Sequence, residues 1–203
     1  MMKRGLVFIM SFVFCLSGIL ASADLAFKAG LNQSKLMSGP KRHWATGFSL
    51  GIAVSFKQSG NFYIQPECFF VRKGDGIGFP EVIPGMKSKI VLDYLETSLL
   101  FKRYFLNKGK IRMAGLGGGY VAFNIQAKCQ SEYLGQVFTE SLKDDVKKKD
   151  YGLVLGVNLE ASIGRKKLIL DIRYNLGISK INSFISYDNW KNRCLSMMLG
   201  IGL

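Results

Sequence analysis

A chain of 203 residues has room for one β domain of ordinary size. Its 15 Phe, 8 Tyr and 23 Gly, set against 4 Pro, suit many strands and turns. The formal charge of +14 points to anionic partners or simply to solvated turns, and the Lys and Arg are too scattered for a nucleic-acid footprint.

In chain order, Lys3 and Arg4 precede an apolar run over residues 6–20 and then Ala21-Ser22-Ala23. A charged start, a greasy middle and a small-residue site predict a cleaved signal peptide over 1–23. One domain is expected over 24–203, because no linker divides it. Beyond that segment Cys68, Cys129 and Cys194 form an odd set, which is not a disulfide framework. No C-x-x-C occurs and His43 is the single His, so no metal site is expected.

The first strand is predicted over 25–34, with Phe27, Ala29 and Leu31 facing one way and Lys28, Gly30 and Asn32 the other. Residues 37–43 read as a loop. Residues 46–72 read as a hairpin. Phe48, Leu50, Ile52, Val54 and Phe56 alternate with small residues, Gly60 supplies the reversal, and Gln65 and Glu67 return opposite in parity to Ile64, Cys68 and Phe70. Residues 73–89, with Gly74, Gly76, Gly78, Pro80, Pro84 and Gly85, read as a long loop. Strands follow over 90–104 and 111–127. A long polar loop is predicted over 128–149, ending in Lys147, Lys148 and Lys149. Further strands are predicted over 151–163, 168–181 and 194–203, with a medium loop over 182–190.

This pattern predicts an all-β chain of about eight strands in meander order. Short turns alternate with longer connections, as in an antiparallel up-and-down transmembrane barrel of the OmpA/OmpX type. Strands of roughly ten residues are long enough to cross a tilted hydrocarbon span. Alternation alone does not say which face meets lipid. A soluble lipocalin-like carrier would turn its large apolar face inward around a ligand. Glu67, Glu96, Lys102, Glu160, Asp171 and Arg173 share the small, polar face at mid-strand positions. Unpaired, each would cost several kcal/mol to desolvate; in a narrow lumen they neutralise one another. The opposite face is almost free of charge, so it is expected to meet acyl chains. Trp44, Phe56, Phe70, Tyr104, Tyr151 and Trp190 lie near predicted strand ends and suit interfacial belts.

Several pieces resemble the small outer-membrane barrels of Bacteroidetes known as porin-family or PorT-like proteins. They are Phe27-Lys-Ala-Gly-Leu-Asn-Gln-Ser, Ile64-Gln-Pro-Glu, Tyr94-Leu-Glu-Thr-Ser-Leu-Leu, Gly117-Gly-Gly-Tyr, Asp150-Tyr-Gly-Leu-Val-Leu-Gly and Arg173-Tyr-Asn-Leu-Gly-Ile. The resemblance implies one eight-stranded barrel in the cell outer membrane. It implies no single activity, although one branch is linked to protein secretion.

The chemistry of sites adds little. Gly115-Leu-Gly-Gly-Gly-Tyr fails as a phosphate loop because Tyr120 stands where the last Gly is needed and no helix follows. His43 with Ser38 lacks the oriented acid of a hydrolase, so no enzyme and no cofactor are expected. The expected protein is a monomer with a side-chain-filled lumen, acting through its external loops. Its partners are expected to be outer-membrane lipid or lipopolysaccharide, or a protein at those loops. Lys147, Lys148 and Lys149 are the candidates for an anionic partner, against the plainer reading of a solvated charge run.

Overall fold

A computed structural model describes residues 23–37, 42–78, 87–183 and 190–203. The expected signal peptide lies outside these residues except for Ala23. The elements are β1 (Ala23–Met37), β2 (Arg42–His43), β3 (Ala45–Ser59), β4 (Phe62–Gly78), β5 (Lys87–Lys108), β6 (Ile111–Tyr133), β7 (Gln136–Ser141), β8 (Lys149–Ile163), β9 (Lys166–Gly177) and β10 (Lys191–Gly202). Eight of them pair antiparallel around a closed ring, β1-β3-β4-β5-β6-β8-β9-β10 and back to β1. Closure leaves no sheet edge inside a membrane, where an unpaired backbone group costs several kcal/mol. The remaining two strands are accessories at one end. β2 pairs with the tip of β4, and β7 folds back on the end of β6.

Three connections at the other end are two-residue reversals. Gly60 takes a φ of 52°, which matches the twist of a tight hairpin, and Gly109 and Gly164 recur at the other two. Both termini of the described barrel lie at this end, because Ala23 pairs with Phe56 beside the first of these turns and Gly202 with Lys167 beside the last. The β3–β4 ladder breaks at Pro66, which has no N–H to give. Register runs Ala53↔Glu67, then resumes at Phe56↔Ile64.

Strict alternation decides the two faces. Leu199 is 68% exposed and Leu155 65%, and Leu50, Leu99, Ile172 and Met197 are exposed beside them on the outer wall. The opposite parity is buried and holds most of the charges described below. The predicted orientation of the two faces is therefore the observed one.

Two predicted loops are largely strand. Lys73–Gly78 continues β4, residues 87–89 open β5, and residues 76–78 pair with 87–89; residues 79–86 lie outside the described residues. Residues 128–133 continue β6 and pair with β5 and with β7. Glycine and polar composition read as loop, but cross-strand hydrogen bonds satisfy the backbone equally well without an apolar face. β5 and β6 thus reach 22 and 23 residues, against 12 for β9 and for β10. Among the expected belt aromatics, Trp44 and Tyr151 are exposed. Tyr104 instead points inward, because its parity follows Lys102 rather than Phe101.

Candidate functional site

The interior is filled in tiers. At its middle, Lys28 of β1 donates to Asp171 of β9 at 2.7 Å and to Glu67 of β4 at 3.2 Å. Arg173 donates to both oxygens of Glu67, one at 2.8 Å, and to Asp171. Gln65 (2.8 Å) and Ser98 (3.1 Å) complete the shell of Glu67, and Asn158 (2.6 Å) that of Asp171. Two acids and two bases from three strands therefore neutralise one another where water is excluded. Breaking such a cluster by removing one member leaves a buried charge uncompensated.

Toward the short turns, Glu160 accepts from Lys102, from Arg112 and from the Tyr104 hydroxyl at 2.8 Å. Toward the long connections, Lys73 donates to Glu96 at 2.6 Å and lies 3.9 Å from Asp150. Its ammonium also sits over the Tyr120 ring, 4.6 Å from the centroid. Asn175 donates to Glu96 at 2.8 Å. Asp150 accepts from Tyr120, Ser179 and Asn192 at 3.1, 2.6 and 2.8 Å.

Above this tier the mouth is mainly apolar, with the buried Asp75 carboxylate accepting from the Leu36 amide at 3.3 Å. Leu36, Ile90, Leu92, Ala127, Val146 and Ile181 are buried together, with Leu142 and Trp190 packed against them. The segments that carry Val146 and Ile181 are tied across the opening. Val146 bridges Asn182, and the Lys147 amide donates to the Ile181 carbonyl at 2.6 Å. Trp190 therefore belongs to this stopper rather than to an interfacial belt.

The six charged residues singled out in the sequence all lie in the lumen, but in three separate clusters. Glu67, Asp171 and Arg173 share one, Lys102 and Glu160 another, and Glu96 stands with Lys73 in the third. Their parity alone does not name the missing bases, Lys28, Lys73 and Arg112. Lys28 carried a visible signal, lying on the polar parity of its strand. Lys73 did not, because Gly74 and Gly76 made its surroundings look like a loop.

Lys147, Lys148 and Lys149 are exposed at the start of β8, with Lys149 over the Phe123 ring at 5.9 Å. His43 is exposed on β2 opposite Gly76, and Ser38 lies outside the described residues. The described residues hold no cluster of three or more His, Cys, Asp or Glu able to bind a metal. The three described cysteines are free thiols.

Solved structures similar in fold to this chain include outer-membrane barrels. OprG of Pseudomonas aeruginosa superposes with a TM-score of 0.54 at 10% identity, over 89% of this chain and 95% of its own. Neisserial surface protein A is similar over 88% and 96%, with 15% identity and a TM-score of 0.49. Ail, the attachment invasion locus protein of Yersinia pestis, is similar over 89% and 97%, with 16% identity and a TM-score of 0.41. At such identities the likeness is one of fold, and OprG carries it. Among curated proteins none matches the sequence. Residues 21–183 match the family model described as "Outer membrane protein beta-barrel domain", and a match that runs from β1 through β9 makes this chain a member of that family and a protein of the outer membrane.

Proposed function

We propose that this barrel is a non-conducting, non-enzymatic surface protein that acts through the part of β4 to β8 standing beyond the membrane. One observation carries the reading. The interior is closed by ion pairs and by an apolar stopper, whereas β5 and β6 are about twice the length a tilted crossing takes. The binding capacity is therefore on the outside. A lipocalin-like carrier is disfavoured by the same geometry, since its ligand would have to displace Lys28, Glu67, Asp171 and Arg173.

The partner we infer at this end is anionic. Lys147, Lys148 and Lys149 are exposed in sequence, and no ion pair ties them among the described residues. The barrel works as a monomer, its ring having no free edge at membrane depth. Within the family, Ile64-Gln-Pro-Glu and Tyr94-Leu-Glu-Thr-Ser-Leu-Leu support a place near the PorT-like barrels of Bacteroidetes. On that narrower reading the external end assists protein secretion.

The test uses the full mature chain folded in a neutral detergent and an immobilised anionic polysaccharide. Retention should fall with salt, as screening of exposed charge requires. Replacing Lys147, Lys148 and Lys149 by Gln should weaken it about tenfold. Retention indifferent to both salt and the triple substitution would remove the anionic partner.

A further inference from the structure

Outside the lumen, a second set of cations lies on the outward face of the barrel, toward the end opposite the short turns. Arg72 on β4, Lys89 on β5, and Lys128 and Gln130 on β6 line one groove of about 350 Å³ with Leu31 and Phe48. The register puts these polar side chains on the outer face together. Lys89 stands opposite Gln130, Val91 opposite Lys128, and Arg72 opposite Asp93. Leu31 is 63% exposed and belongs, with Phe48, to the apolar wall that meets acyl chains. The groove therefore straddles the upper border of the hydrocarbon zone, with a greasy floor and a basic upper rim.

The three cations are not equivalent. Arg72 is committed: it donates to both oxygens of Asp93, at 2.7 and 2.9 Å, and lies over the Phe48 ring. Lys89 and Lys128 have no carboxylate partner among the described residues. An outward lysine at the edge of a bilayer must reach for water or meet an anion. Here two do so side by side, next to a glutamine amide, above an apolar floor.

We propose that this groove binds the phosphorylated headgroup of an outer-leaflet lipid, with phosphate on Lys89 and Lys128 and an acyl chain along Leu31 and Phe48. Charge complementarity selects a phosphate, which carries up to two negative charges and several strong acceptors. Continuity with the apolar wall selects a lipid over a soluble anion, for which Leu31 and Phe48 would do nothing. The site is separate from Lys147, Lys148 and Lys149, so either assignment can fail without the other.

The experiment places the full mature chain in nanodiscs of neutral phosphatidylcholine and titrates in purified lipopolysaccharide or its enzymatically dephosphorylated form. The readouts are the shift in Tm and the lipid concentration at half-effect. Phosphorylated lipid should raise Tm and the dephosphorylated form should not. The pair Lys89→Gln and Lys128→Gln should leave the lipid-free Tm unchanged and raise the half-effect concentration about tenfold. Lys89→Arg with Lys128→Arg should restore the response, and the Lys147, Lys148 and Lys149 triple substitution should not alter it. An unchanged response in the double Gln variant, or an equal response to dephosphorylated lipid, overturns the proposal. So does inorganic phosphate that reproduces the shift, or a shift that appears only when a second protein is added.

Discussion

Arg173 illustrates how single residues hold this interior together. Its guanidinium fork meets two carboxylates from two strands, Glu67 on β4 and Asp171 on β9, while Lys28 of β1 braces the same pair. A methionine there would fill similar volume but leave two buried acids sharing one ammonium. Arg173→Met is expected to lower unfolding free energy in micelles by ~3–5 kcal/mol. Arg165→Gln, in the exposed β8–β9 turn, should change it by less than about 0.5 kcal/mol. Denaturant unfolding followed by tryptophan fluorescence measures both. Equal effects would show that the buried cluster contributes no more than a solvated arginine in a turn.

At the scale of elements, the β5–β6 pair is the longest ladder and the one that carries the glycine cluster. Only one of those glycines is there because strands approach closely. A Cβ at Gly118 would stand 2.1 Å from the Leu99 carbonyl oxygen and 2.9 Å from the Leu100 Cα, both backbone atoms that cannot swing aside. A Cβ at Gly117 would meet only the end of Leu155, at 3.7 Å. Gly118→Ala is therefore expected to cost about 3 kcal/mol or to abolish refolding, whereas Gly117→Ala is tolerated. The fraction of heat-modifiable folded band after refolding reads the difference. Two equally tolerant positions would mean the ladder relaxes at no cost.

At the scale of the whole molecule, the described side chains fill the ring. An eight-stranded interior just accommodates side chains. Here it holds three ion-pair tiers and an apolar stopper tied by Val146 and Asn182. In planar bilayers the folded protein should give no stable conductance, and a steady nanosiemens-scale current would show the lumen to be open. The sequence by itself determined the strand order, the two faces and the inward place of Glu67, Glu96, Lys102, Glu160, Asp171 and Arg173. Period-two alternation survives any closure, and an unpaired charge is too costly to leave facing acyl chains. What only the tertiary structure decided was which charges meet and how far the strands run. Lys28 and Asp171 lie 143 positions apart and become neighbours only when β1 closes on β10 beside β9. Residues 73–78 and 128–133, polar and glycine-bearing, become strand only because each finds a partner ladder at the end of the barrel opposite the short turns. Local pattern carries the face of a strand, while pairing across the ring is a non-local choice that no single stretch of chain contains.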